Sequence, residues 1–394
     1  MKFDASTYKI TESGKLGTVA LVIGIIGLLA SGGAWMVDST RFFHAWLTSF
    51  VFWLSLALAG LFFTMLHYLT AAHWSVVLRR ISEALMMQLP WLILAFVPIL
   101  FGMHDLFHWS HADVMAHDEA LAAKSGYLNI AFFAIRAVAF FAVWSIFALV
   151  LRKRSLAQDA KPDVDHIAGL RRTAGGGMLL FAVTVTYASF DWLMSLQPHW
   201  YSTIFGVYYF GGLFLSGVSL MAVVCWVLRS NGALKNTISV EHYHDLGKLM
   251  FAFTIFWAYI GFSQYFLIWY GNIPEETAWF LSRWQGTWKP VSLILVFGHF
   301  VIPFIVMIFQ RVKRQIPLLG TVAIWYLIMH WVDLYWMVYP SYQPEGASLS
   351  WIEFAPMIGL GGVFIALFWR SFTKHPTVPT GDPWLEQSIH FVNQ

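Results

Sequence analysis

Apolar residues in this chain come in long blocks, without the alternation that marks a half-buried strand or the spacing that marks a surface helix. Runs of roughly 20 such residues, enough to cross about 30 Å of hydrocarbon as a helix, predict ten spans: 16–36, 45–66, 85–107, 128–151, 175–196, 203–228, 246–270, 290–309, 316–339 and 349–369. The polar stretches between them are short. The longest are 108–127 and 152–174, with a tail at 370–394, so no segment remains for a soluble domain of useful size. Pro90 and Pro98 are expected to kink the third span, and Pro303 and Pro356 to bend the eighth and tenth more weakly. Small residues cluster in "GIIGLLASGG", in "GGG" at 175–177, in "FGG" at 210–212 and in "GLGG" at 359–362, where helix backbones can approach closely in lipid.

One stretch departs from the block pattern. "TAAHWSVVLRRISEALMMQ", Thr70 to Gln88, mixes apolar and basic positions and reads as an interfacial amphipathic helix or as a helix extension with snorkelling arginines.

Composition agrees with the pattern: at 58% hydrophobic, 18% aromatic and 11% charged residues, the chain reads as an all-α integral membrane protein. Basic residues give its orientation. Lys9, Lys15, Arg79, Arg80, Arg152, Lys153, Arg154, Arg171, Arg172, Arg229, Arg311, Lys313, Arg314 and Arg370 fall on the side of both termini, whereas only Arg41, Lys124, Arg283 and Lys289 fall opposite. An excess of this kind marks the cytoplasmic side, so both termini are expected there. The first block ends in "LLASGGA" but is long for a signal-peptide core, and it is read as a retained span. The net charge of +3 is carried by these loops and implies no nucleic-acid partner.

Cys225 is the only cysteine. One thiol in an apolar span supplies no internal disulfide, no thiolate cage for an iron–sulfur cluster and no C-x-x-C-H haem attachment, so any electron carriers must mostly belong to partners. Tryptophans recur near span ends, among them Trp46, Trp109, Trp192, Trp200, Trp269, Trp279, Trp284 and Trp288, and most are expected to anchor at the interface. The loop "SRWQGTWKP" is the alternative, a docking surface for a partner.

Against this background the ionisable residues inside the blocks stand out. Counting along each span places Arg136, Asp191, Gln264, His299, His330, Asp333 and Glu353 in the outer half, and puts His330 and Asp333 on one helical face. Such groups normally face a protein interior and pair with one another. The expectation is an outer polar pocket or half-channel in which Arg136 neutralises Asp191 or Asp333 and the two histidines pass protons; structural ion pairs and simple solvation compete with it. The cytoplasmic half offers mainly hydroxyls such as Thr184, Thr186, Tyr187, Thr254 and Tyr259. Ionisable groups return at its mouth: His67, His73, Glu83, Glu241, His242, His244 and Asp245. "EHYHD" (241–245) reads as a solvated helix start in preference to a metal site, and a haem between His299 and His330 is a minor alternative.

Three stretches carry a resemblance: "FFTMLHYLTAAHWSVVLRRISE" (62–83), "FSQYFLIWYGNIPEET" (262–277) and "HWVDLYWMVYP" (330–340). With ten spans they resemble, over nearly the whole chain, the F-type membrane subunits of bacterial alternative complex III, the quinol:cytochrome c oxidoreductase unrelated to the cytochrome bc complex, within the NrfD and polysulfide-reductase group. The resemblance implies two four-helix bundles flanked by the first and last helices, dividing the chain at 1–44, 45–202, 203–348 and 349–394. It also implies partners: a larger NrfD-like C subunit with the recognised quinol site, periplasmic subunits carrying iron–sulfur clusters and haem c, and possibly a terminal oxidase, all at the bacterial inner membrane. No cofactor is expected in this chain itself, although quinol is possible, and no site residue is implied by the resemblance.

Four functions follow. The first is a subunit that anchors periplasmic redox partners and supplies a proton half-channel. The second gives the chain its own quinol pocket, with His330 taking a hydroxyl proton and Asp333 orienting the imidazole. A secondary transporter built on the same buried polar groups is the third, and a purely structural subunit is the fourth.

Overall fold

The computed structural model describes residues 8–10, 14–162 and 164–393, and among these all regular structure is helical, with no strand. Ten helices are long and apolar enough to cross a membrane: α1 (Leu16–Val37), α2 (Ser39–Leu69), α3 (His73–Phe101), α4 (Ile130–Ala160), α5 (His166–Leu196), α6 (Phe205–Ser230), α7 (Val240–Gly271), α8 (Trp288–Ile308), α9 (Ile316–Ser341) and α10 (Trp351–Thr373). The chain is therefore a multi-pass α-helical membrane protein. Several helices run past the apolar blocks, as in Ile130–Ala160, because charged residues extend a helix readily once it has left the hydrocarbon.

Packing groups the helices into two rings of four. In the first, α2 touches α3 and α5, and α4 closes the ring between them; in the second, α6 touches α7 and α9, and α8 closes it. The rings meet along α2, α5, α6 and α9, which makes α2 and α6 the most enclosed helices. α10 lies against α2, and α1 lies against α10. That last contact is close for a steric reason. A Cβ built at Gly27 would stand 2.5 Å from the Gly359 backbone, so only hydrogen at these positions lets the two helices pack backbone to backbone.

The prolines act mainly as starts. Pro90 sits in the first turn of the helical segment Leu89–Phe101, where its missing N–H costs nothing, and Pro303 opens the segment Ile302–Ile308. Pro98 and Pro356 lie inside helices. Just before Pro303, residues Leu295–Val301 of α8 form a π-helical stretch that carries His299.

Two expectations are corrected here. The stretch after Thr70 is not an interfacial helix, because Arg79 to Met86 are all buried, packed mainly against α2. Arg79 pairs with Asp382, Arg80 pairs with Glu83 and Asp159, and Arg152 reaches Glu83 at 2.5 Å. The tail returns across the face that carries both termini: His73 stacks on Trp384 with ring centroids 4.0 Å apart, and the Ser388 hydroxyl donates to the Trp74 carbonyl at 2.7 Å. Tryptophans near span ends likewise pack inward more than expected. Trp46, Trp109, Trp192, Trp200, Trp279 and Trp288 are buried, whereas Trp269 and Trp284 are exposed. Terminal position fixes depth in the bilayer, but the neighbouring helices decide whether an indole faces them.

Candidate functional site

The seven outer residues fall into four groups that share no hydrogen bond or ion pair with one another among the described residues. Depth along a span says nothing about direction around it, and direction divides them.

The first group is closed. Arg136 on α4 donates Nε–H and an Nη–H to the two oxygens of Asp191 on α5, at 2.7 and 3.0 Å, and a further Nη–H to the Tyr127 carbonyl at 2.9 Å. The guanidinium also lies over the Tyr127 ring, 3.8 Å from its centre. Of the two partners sequence allowed for Arg136, the structure selects Asp191. Beneath the pair, Phe50, Phe96, Phe141 and Trp192 fill the ring with contacting aromatic side chains, their centroids 5.0–6.3 Å apart.

Glu353 is closed as well, by three donors. The Arg41 Nε–H donates at 2.5 Å, the Tyr339 hydroxyl at 3.1 Å, and the Ser350 backbone N–H at 2.5 Å, the last completing a capping box that starts α10. Gln264 stands apart from both, accepting from the Ser202 hydroxyl at 3.2 Å.

The remaining group is built by the second ring. Tyr326, His330 and Asp333 recur at i, i+4 and i+7 and so line one face of α9. Tyr208 and Gly212, one turn apart on α6, face them: the Tyr208 hydroxyl donates to Asp333 Oδ1 at 2.5 Å, and a Cβ added at Gly212 would stand 3.2 Å from His330 Nδ1 and 3.4 Å from Asp333 Oδ2. Trp257 on α7 donates its indole N–H to Oδ2 at 3.1 Å. Asp333 thus has two neutral donors and no ion-pair partner among the described residues, although only 1% of its surface is exposed.

His330 is held from the first ring. Its Nε2 lies 2.8 Å from the Ser55 hydroxyl, which also bonds the Phe52 carbonyl at 2.7 Å. A serine has one proton to give. With it on Phe52, the hydroxyl accepts from Nε2–H, and His330 Nδ1 keeps a buried lone pair without a partner. His299, on the π-helical stretch of α8, packs its ring 4.0 Å from that of Trp257, and neither nitrogen has a partner. Tyr326 and Thr254 share a hydroxyl–hydroxyl bond of 2.5 Å on the terminal side of this group. The arrangement gathers groups that can each gain or lose a proton. It presents one carboxyl without a counter-charge, two imidazoles with open nitrogens and hydroxyls at either end, all inside one helix ring.

Sequence reasoning found His299, His330 and Asp333 but missed Ser55, Tyr208, Trp257 and Gly212. Hydroxyls and indoles are ordinary in membrane helices, and only the packing of α2, α6 and α7 against α9 gives these a partner.

Most of the mouth residues have partners on their own face of the protein. His67 Nδ1 bonds the Phe63 carbonyl at 2.7 Å, and His73 stacks on Trp384. Glu241 pairs with Arg314, and Asp245 with Lys248. His242 Nδ1 accepts from the Ser239 N–H at 3.0 Å, which caps α7, and His244 is buried with Nδ1 unbonded. "EHYHD" does start a helix, but its residues are largely buried instead of solvated. Among the described residues no group of three or more histidine, cysteine or acidic side chains is placed to hold a metal ion.

A cleft of about 670 Å³ opens between α7 and α8, under the short helix Pro274–Ser282. Tyr208 and Trp257 form part of its wall, so it is separated from Asp333 only by the two side chains that bond to that carboxyl. Gln264, Ser292, Arg283 and Trp336 also line it. Arg283 and Trp288, expected in an exposed docking loop, are buried.

Comparison with known protein families finds no family model that matches the chain, and comparison with curated proteins finds no match. The fold and the site therefore define the class, a ten-span α-helical membrane protein with one uncompensated carboxyl in its second ring.

Proposed function

We propose that this chain is an integral subunit of a quinol:cytochrome c oxidoreductase of the alternative complex III kind. In this reading it sits in the bacterial inner membrane with both termini in the cytoplasm. It anchors periplasmic partners that carry haem c and iron–sulfur clusters, and it takes up protons in its second ring. Quinol oxidation releases two electrons and two protons. The electrons pass to the partners' metal centres, and the protons need acceptors inside the membrane.

The observation that carries the proton role is Asp333. Buried carboxylates in a membrane protein ordinarily pair with a cation, as Asp191 and Glu353 do here. Asp333 instead meets a phenol and an indole, with His330 one turn away on the same face. A carboxyl held by neutral donors can gain and lose a proton without breaking an ion pair, and the open Nδ1 of His330 and one of the two unbonded nitrogens of His299 are further acceptors in the same ring. The basic residues on the face of the termini favour the orientation.

The test is Asp333→Asn in the assembled complex, reconstituted in liposomes with a trapped pH dye. Protons released per quinol should fall while the haem and subunit content stays that of the parent. Unchanged proton release would remove the relay. Recovery of the chain as a stable protein without haem-bearing partners would remove the subunit assignment.

A further inference from the structure

We propose that the cleft between α7 and α8 is a site for one anionic phospholipid, with the phosphate drawn to Arg283 and an acyl chain lying between the two helices.

The cleft is graded in polarity. Toward the face opposite the termini its wall carries Asn272, Thr277 and Arg283; deeper, it carries Phe262, Val296 and Phe300. Such a gradient suits an amphiphile with a polar head at the interface and an apolar tail in the hydrocarbon. Exposed Phe262, Val296 and Leu281 leave the cleft open sideways, on the surface that faces lipid.

Arg283 decides the charge of the head. It is the only charged residue of the wall, and it is 1% exposed. It donates to the carbonyls of Trp279, Trp336 and Met337 at 2.9, 3.2 and 3.0 Å and to Gln197 Oε1 at 3.1 Å, and its guanidinium lies 3.6 Å from the centre of the Trp279 ring. Those four bonds use all but one of its five N–H groups and cap the last turn of α9. They leave its charge unneutralised, since no carboxylate among the described residues pairs with it. Lys289 adds a second positive charge at the rim, 5.5 Å from the ring centre of Trp284, which lines the cleft. A desolvated cation beside an apolar groove is matched by an anionic head with an apolar tail. A neutral ring such as a quinone would make no use of the charge, and Tyr208 and Trp257 shield Asp333 from the cleft.

The experiment is native mass spectrometry of the protein released from nanodiscs that hold equal amounts of phosphatidylglycerol and phosphatidylcholine. One phosphatidylglycerol should be retained over phosphatidylcholine by about five- to thirtyfold, the preference one or two nearby cations confer. Val296→Trp, at a half-exposed position on the cleft wall, should abolish retention of both lipids. Arg283→Gln should lower that preference by about fivefold, leaving only what Lys289 confers; should it fail to fold, Lys289→Gln reports instead, with the preference reduced at least twofold. Equal retention by the parent protein, displacement of the lipid by added ubiquinone at equal concentration, or retention unaffected by Val296→Trp would each overturn the proposal. The readout is lipid bound, not turnover, so it stands or falls apart from the proton role of Asp333.

Discussion

The two helix rings are built alike and filled differently. Each closes in the order of its sequence, and each places an aspartate on its fourth helix seven residues before a proline: Asp191 before Pro198, Asp333 before Pro340. In the first ring Arg136 reaches across from the third helix and neutralises the carboxyl, above an interior filled by Phe50, Phe96, Phe141 and Trp192. In the second ring the third helix offers His299 on a π-helical stretch, no arginine among the described residues pairs with the carboxyl, and a cleft opens between α7 and α8. The same frame thus yields a sealed ion pair in one ring and a carboxyl held only by neutral donors in the other. The difference is the one on which the proposed proton role of Asp333 rests.

The comparison breaks most visibly at Arg136. Arg136→Ala leaves Asp191 buried and unpaired and is expected to cost about 3–5 kcal/mol, read as a fall in thermal stability in detergent micelles. Replacing both partners by apolar residues should recover most of that loss. Gly212→Ala pushes a methyl group into van der Waals contact tighter than usual with His330 and Asp333; a cost of about 1–3 kcal/mol is expected for such overpacking, with faster hydrogen exchange confined to α6 and α9. Asp333→Asn breaks no ion pair, but its amide has one accepting oxygen for the two donors Tyr208 and Trp257, so a cost of about 1–3 kcal/mol is expected, below that of Arg136→Ala. Ser55→Ala removes the acceptor of His330 Nε2–H and should cost about 1 kcal/mol, but it should lower proton release more than its effect on stability would suggest. An Asp333→Asn loss as large as that of Arg136→Ala would erase the distinction between the rings.

Much of the architecture was legible in the sequence. Blocks of about 20 apolar residues set the ten helices, because a span must satisfy its own backbone hydrogen bonds within one segment of fixed length. The ionisable residues inside those blocks were legible too, since each is costly in lipid and so conspicuous. Their partners were not. Arg136 had two acids within reach by depth, and only the ring closed by α4 and α5 selects Asp191. Glu353 looked like a member of the same pocket until Arg41, 312 positions earlier, met it from the start of α2.

By itself the sequence determined the class of protein, the number of helices and which buried residues carry charge, because these follow from solvation along one dimension. Tertiary structure alone decided which charges are cancelled and which are left open, where a cleft remains between helices, and that Arg79 to Met86 are buried against α2 instead of lying in the interface. Rotation about a helix axis changes a side chain's neighbours without changing its depth, and only packing between helices fixes that rotation.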